Sequence, residues 1–318
     1  MINETRYFIL DKPSKKFRFN DFLKYYLKSI YLKNKLRFFS PIYHEKKYKV
    51  SLCAIFKNEA LYLKEWIEFH KIIGVNHFYL YNNFSTDSYM SVLEPYIADN
   101  TVTFIDFPVQ QGQMKAYKDC IARFKDETEW IGFIDLDEFI VPKEDDSLYD
   151  FLLKFKNYPS VQIYWKIFGT SGLMRRKSDK KDLVTENFTV CWKKYDSIGK
   201  CFFNTSFDFD PNDSNNKYLH HKLWGKYKNQ SIPPVNHDGN FLLNDFNVVY
   251  ENDFPIQINH YFTKSYEEYI EKASKGDVYF KDNPHNFDYF YRHEMKCMAT
   301  DYSAYKYLIK LKNTLGGY

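Results

Sequence analysis

KVSLCAIFKNEALYLKEWIEFHKIIGVNHFYLYN, residues 49–82, decides the fold class. KVSLCAIF reads as a strand buried on both faces, because its apolar run is nearly unbroken rather than alternating. LYLKEWIEFHKIIG carries apolar residues at helical spacing and stops at Gly74, a residue suited to ending a helix. HFYLYN is a second strand. Working outward, NNFSTD supplies turn chemistry before a helix running through Met90 to Ile97. TVTFIDF is then a third strand, GQMKAYKDCIARF a third helix and WIGFID a fourth strand. Apolar strands alternating with helices of this length predict an α/β fold, a mostly parallel sheet with right-handed crossovers and helices on both faces. Ligands of such sheets bind beyond the carboxyl ends of the strands, so chemistry is expected in the residues just after each one.

The flanks differ in texture. Residues 1–45 form a basic extension in which eight basic residues between Lys15 and Arg37 stand against one acid, Asp21. Phe19, Phe22, Leu23, Tyr26, Leu27, Ile30 and Tyr31 fall on one helical face, with Lys24 and Lys28 on the other. Two readings stay open: an interfacial helix resting on anionic lipid, or a helix packed on the main domain with a solvated basic face. Residues 46–276 hold the main domain, whose pattern loosens after Gly169 and includes an exposed polar loop at 208–217. Residues 277–318 read as a helical tail, entered through a break at Asp282–Pro284.

Bulk properties narrow the function classes. A chain of 318 residues with 44% hydrophobic content can bury a large core. Its 29 tyrosines and 30 phenylalanines are explained more simply by AT-rich codons than by a stacking function. A net charge of +4 is too small for a nucleic-acid partner. Five cysteines without CxxC spacing point away from a disulfide framework and toward a reducing cytoplasm. No apolar run approaches the ~18 residues of a membrane span, so the protein is expected in the cytoplasm, free or peripheral on the inner face of the membrane.

The sharpest local feature is Ile134-Asp135-Leu136-Asp137-Glu138-Phe139, at the end of the fourth strand. Side chains alternate along a strand, so Asp135 and Asp137 are expected on the same side, ~6–7 Å apart along the chain. Two carboxylates between apolar runs need a partner, and a hard divalent cation is a suitable one. Lys57-Asn58-Glu59 follows the first strand and Asn82 through Asp87 the second. These short polar side chains suit a base or ribose, and equally suit turns and caps.

Taken in order, CAIFKNEALYLKEWIEFHKIIGVNHFYLYNNFSTD, GQMKAYKDC, WIGFIDLDEFIVP, YWKIFGTSG and NHYFTKSYEEYIEKASKG resemble the blocks of glycosyltransferase family 92 and its bacterial relatives. The resemblance spans residues 49–276 and implies a GT-A fold, a UDP-sugar donor with galactose common, Mn²⁺ (or Mg²⁺) and inverting transfer. It implies that Asp135 and Asp137 are the D-x-D pair, with Asp137 the direct metal ligand and Asp135 nearer the ribose or a metal-bound water. It places Asn58, Glu59, Asn82 and Asp87 beside the nucleoside; Asn82 stands where the family commonly has aspartate. Gln113, Tyr117 and Asp119 match a helix facing the donor, and His260 matches a late histidine that binds metal or diphosphate. Lys200 and Lys264 are candidates to balance pyrophosphate charge, whereas His220, His221 and His237 read as core histidines.

An oligosaccharide or lipid-linked glycan is the expected acceptor, in surface-glycan (lipopolysaccharide or capsule) synthesis. Trp165, Phe168, Gly169 and Gly172 look like an acceptor platform. An inverting enzyme also needs a carboxylate base, for which Glu186 and Asp238 are both candidates. Two rivals remain on sequence grounds. A sugar nucleotidyltransferase would want a glycine-rich phosphate loop where this chain has FKNEALYL. A carbohydrate-binding module has no need of paired acids inside an apolar run.

Overall fold

The structure is a computed structural model describing residues 9–10, 19–39, 45–176, 182–243, 246–247, 254–274 and 286–316. Helix α1 (Phe19–Leu36) leads into the α/β region. Strands β1 (Tyr48–Phe56), β2 (His77–Asn82) and β3 (Val102–Asp106) are joined by helices α2 (Ala60–Ile72) and α3 (Tyr89–Ala98). Helix α4 (Gln113–Phe124) then leads to β4 (Thr128–Phe133). These four strands pair in parallel in the order β3-β2-β1-β4. The unbroken apolar texture of β1 follows from its central place, since from Val50 onward it is buried throughout.

The second half of the sheet is mixed. Strands β5 (Glu138–Pro142), β6 (Ser160–Ile167), β7 (Gly199–Asn204) and β8 (Ile256–His260) extend the order to β3-β2-β1-β4-β7-β6-β8-β5. Only the residues from Ile134 to Asp137 separate β4 from β5, yet the two strands stand four places apart in the sheet. A link that short reaches at most ~14 Å, so the sheet curls until its β5 edge meets the end of β4. Register completes the arrangement, because β8 runs antiparallel to β5 with His260 opposite Glu138. His260 also pairs with Ile167 at the end of parallel β6.

Gly199 is the tightest point of the curl. A Cβ there would lie 1.9 Å from the Ile163 carbonyl oxygen, a backbone atom with nowhere to move. Gly199→Ala is expected to destabilise the protein by about 3 kcal/mol, the upper end of overpacking costs. Chemical denaturation should show it as a lowered midpoint at unchanged slope. An alanine variant of parental stability would mean that β6 and β7 are not held this closely.

The remaining helices are α5 (Leu148–Leu153), α6 (Val184–Asn187), α7 (Tyr266–Ser274), α8 (Phe287–Glu294) and α9 (Tyr305–Thr314). The tail expected to be helical also contains a strand, Cys297–Thr300, paired with Val190–Trp192. Helix α9 buries Leu311 and sets Tyr307 edge-on against Phe69 of α2, so it packs on the main core. Helix α1 buries Leu32 and Leu36, and Tyr25 Oη donates to the Phe241 carbonyl. Its apolar stripe of Leu23, Tyr26, Leu27, Ile30 and Tyr31 stays at least 40% exposed. The helix is thus docked along one edge while its apolar face meets solvent. The side chains of Phe19 and Phe22 lie outside the described residues. No described helix is long and apolar enough to cross a membrane.

Candidate active site

Strand β4 stops at Phe133, and the two aspartates occupy a buried turn rather than a continuing strand. The turn is pinned from several sides. Trp66 Nε1 donates to the Asp135 and Glu138 carbonyls at 3.1 and 2.9 Å. The Tyr261 amide donates to the Asp137 carbonyl at 2.8 Å. The Asp135 amide donates to Glu138 Oε2 at 3.1 Å. A turn aims its side chains differently from a strand, so the expected side-by-side pair gives way to two aspartates with separate partners.

Asp135 accepts from Gln113 Nε2 at 3.0 Å, Tyr117 Oη at 3.2 Å and Lys200 Nζ at 2.6 Å. Asp137 pairs with Lys272 and faces His260 Nε2 at 3.7 Å. Glu138 is fully buried, with Oε1 3.3 Å from Lys200 Nζ. Burial alone would raise the Asp137 carboxyl, but the Lys272 ammonium and His260 outweigh it and hold the group well below the usual carboxylate range. Burial pushes Glu138 well above that range, against the opposing pull of Lys200. His260 is lowered by burial, against the attraction of Asp137, and so is held neutral near pH 7.

Three potential ligand atoms converge: those of Asp137, Glu138 and His260 all lie within 4.8 Å of one another. Two carboxyl groups and an imidazole form a donor set that suits Mn²⁺ or Mg²⁺, a cation also supplying the positive charge that favours the ionised form of Glu138. Buried His260 Nδ1 has no hydrogen-bond partner among the described residues. A cation is already drawn to this spot, because Lys272 occupies Asp137. The residues therefore fit a divalent metal, with Glu138 in the set and Asp135 held aside by Lys200.

Around this cluster the predicted residues divide. Gln113 and Tyr117 bind Asp135 next to it, whereas Asp119 lies elsewhere on the helix and accepts from Tyr81 Oη at 2.8 Å. Lys200 is buried between Asp135 and Glu138. Lys264 is buried over the Tyr62 ring, within electrostatic reach of Asp137. Glu59 acts electrostatically on Lys272. Asn58, Asn82 and Asp87 build the adjoining loops. Asn58 Oδ1 accepts from the Thr86 amide at 2.7 Å, and Asp87 Oδ2 from the Ala60 amide at 2.8 Å at the start of α2. Asn82 donates to Asp106 at 2.8 Å and accepts from the Ser85 amide at 3.1 Å.

On the acceptor side, the Trp165 ring lies 4.6 Å from that of His260, while Phe168 is buried in the core. Glu186 is paired with Lys312 of α9, and Asp238 with His237 at 3.2 Å; neither is in contact with the cluster. His220 is buried, and His221 binds the Gly199 carbonyl at 2.7 Å while its ring meets the edge of Trp165. The sequence reading missed Glu138, Lys272 and Asp196. Asp196 is tied to the Trp165 strand by its amide at 2.9 Å. Burial raises its carboxyl, and His260 is among the groups that oppose the rise. Only Glu138 carried a signal, as a third acid beside the pair.

The family model for glycosyltransferase family 92 matches residues 46–228, more than half of the chain. The chain belongs to glycosyltransferase family 92. The matched region includes Asp135, Asp137, Glu138 and Lys200, and His260 and Lys272 lie beyond it. A family 92 protein of rice, Oryza sativa subsp. japonica, is 31% identical over 147 residues, 45% of this chain and 25% of its own length. A β-1,4-galactosyltransferase of Caenorhabditis elegans is 33% identical over 112 residues, covering 31% of this chain and 26% of its own. A galactan β-1,4-galactosyltransferase of Arabidopsis thaliana is 28% identical over 111 residues, covering 32% of this chain and 21% of its own. This family 92 chain thus spans about a quarter of the length of these curated relatives. Among solved structures, Staphylococcus aureus TarS 1–349 in complex with UDP aligns over 54% of this chain and 53% of that one, at 14% identity and a TM-score of 0.35.

Proposed function

We propose that this protein is an inverting glycosyltransferase that moves a sugar, with galactose favoured, from a UDP-sugar to a glycan acceptor. The observation that carries the reading is the Asp137–Glu138–His260 cluster, ringed by Lys200, Lys264 and Lys272 beyond the strand ends. A binding module has no use for such a concentration of buried charge, whereas a nucleoside diphosphate needs cations around it. Membership of family 92 supports sugar transfer, and the galactosyltransferase names of the nematode and Arabidopsis relatives support galactose.

A divalent ion held by Asp137, Glu138 and His260 would neutralise charge on the departing UDP. Lys200, Lys264 and Lys272 bring positive charge to the same diphosphate. Asp135, oriented by Gln113, Tyr117 and Lys200, is positioned to accept from a ribose hydroxyl. The acceptor hydroxyl attacks the anomeric carbon from the face opposite UDP, forming one C–O bond as the bond to the diphosphate breaks. Its proton passes to a carboxylate. We favour Asp196, which accepts from the Ile198 amide at 3.0 Å and acts electrostatically on His260, over Glu186 and Asp238, whose carboxylates are paired with Lys312 and His237. We assign α1 to attachment at the inner face of a membrane, the setting for lipopolysaccharide or capsule assembly, on the support of its exposed apolar stripe and its lysines.

A melting experiment tests the donor reading. UDP with Mn²⁺ at about 100 times Kd is expected to add roughly 2.7 kcal/mol, read as ~5 °C in Tm, and most of that gain should vanish on chelation. Protection by free sugar alone, indifferent to metal, would instead identify a carbohydrate-binding protein.

A further inference from the structure

A cavity of about 370 Å³ opens past the ends of β6 and β8, and Gly172 of the expected acceptor platform is among the residues that line it. Tyr266, Phe287, Phe290, Tyr291, Met174 and Glu294 line it as well. The chain leaving β6 forms one side. The Phe168 amide donates to the His260 carbonyl at 3.0 Å, and the chain then turns through Ser171 and Gly172, both at positive φ. A Cβ at Gly172 would meet nothing within 4 Å, so the loop keeps an open face. The loop is fastened nonetheless. Glu294 accepts from the Thr170 amide and hydroxyl, and Ser171 Oγ accepts from the Thr189 and Val190 amides at 2.9 and 3.0 Å.

We propose that this cavity is an acceptor subsite that holds a sugar ring of the glycan at a distance from the hydroxyl that is glycosylated; this rests on the transferase reading above. Position is the first argument. The cavity lies beyond the carboxyl ends of parallel strands β6 and β8, where ligands of such sheets bind. Helix α7 carries Tyr266 at the cavity and Lys272 on Asp137. Six residues of helix set the two ~9 Å apart along its axis, too far for one ring to touch both. Chemistry is the second argument. Phe287 and Tyr291, edge to face at 4.5 Å, are each at least half exposed and offer flat apolar surface to the C–H face of a sugar. Glu294 keeps lone pairs for sugar hydroxyls beyond those given to Thr170. A lipid chain would cover that carboxylate and offer its remaining lone pairs no donor, a cost a saccharide avoids.

The test uses β-1,4-linked galactose oligosaccharides of increasing length with UDP-galactose and Mn²⁺. The parent's acceptor KM should fall with chain length. Tyr291→Ala and Phe287→Ala should abolish that gain, raising KM for the longer acceptors by about tenfold at unchanged kcat and unchanged UDP affinity. Ile309→Ala, an exposed apolar residue of α9, is the control, and melting curves check that each variant is folded. If the variants keep the length gain, or if the parent binds UDP but ignores these oligosaccharides, the subsite is overturned and the donor reading stands. A parent that binds no UDP with Mn²⁺ would overturn the transferase reading instead.

Discussion

Replacing Asp137 by asparagine is expected to lower sugar transfer by ~10³-fold or more, the scale on which one misplaced electrostatic group costs a preorganised site. The substitution keeps shape and removes one negative charge. In the folded protein that charge is held in its ionised form against burial by Lys272 and His260, so the site is built for a carboxylate and not for an amide. Without it, Glu138 and His260 are left to hold a cation, and Glu138 is itself driven toward its neutral form by burial. UDP affinity should therefore fall in the presence of Mn²⁺ and stay near the parental value without it, because the lysines still meet the diphosphate. Stability should change little, since the Lys272 side chain is about one-third exposed and regains water when its partner is neutral. Calorimetric titration of UDP with and without Mn²⁺, beside turnover, separates these effects. A variant that turns over like the parent would remove Asp137 from the metal site, whatever its stability.

Much of this architecture was legible in the chain because local chemistry and the global fold agree. The apolar run of β1 is unbroken because the strand is central, and the crossovers α2 and α3 have ordinary length. Asp135 and Asp137 stood out for a physical reason, as acids between apolar runs. Their geometry was not legible. An alternating strand and a tight reversal share the same apolar flanks, and only the strand order shows that β5 must travel to the far edge of the sheet. The same curl explains why Glu138 looked like a bystander. Its place opposite His260 is a matter of register between segments more than a hundred residues apart.

Lys272 was hidden differently. In YIEKASKG it reads as a solvated helical lysine, and only the packing of α7 beside the turn brings it to Asp137. Asp196 gave no local sign, since it follows Lys193 and Lys194 in a stretch that looks exposed. The choice of Glu186 and Asp238 relied on neighbouring sequence. Tertiary contacts decide which carboxylate has a cation as its partner, and here Lys312 arrives from the far end of the chain. Local patterns thus identified the residues at strand ends, while the residues contributed by distant segments needed the fold.

Sedimentation with anionic vesicles is expected to carry the full chain down at low salt, and Leu27→Glu with Ile30→Glu should lower that partitioning by at least ~100-fold. Helix α1 already has an inner edge, made by Leu32 and Leu36, and a hydrogen bond from Tyr25 to the body of the protein. Its stripe from Leu23 to Tyr31 stays largely exposed beside that packing, with Tyr31 Oη donating to Gln230 Oε1 at 3.0 Å, and so leaves large apolar surface in water. Lys24 and Lys28 flank the stripe, and each basic residue near an anionic surface adds ~1 kcal/mol, an effect confined to a Debye length of ~8 Å at physiological salt. Two glutamates in the stripe remove apolar burial and add repulsion from the same lipid headgroups. Together those losses of roughly 3 kcal/mol or more correspond to the stated factor at 1.4 kcal/mol per tenfold. Both positions are exposed, so the variant should melt with the parent and turn over a soluble acceptor normally. Vesicles of phosphatidylcholine alone should bind weakly, and added salt should release the parent from mixed phosphatidylglycerol vesicles. A parent chain that never pellets with anionic lipid would end the idea, and so would a double-glutamate variant that pellets as well as the parent. The exposed face would then have to meet another protein.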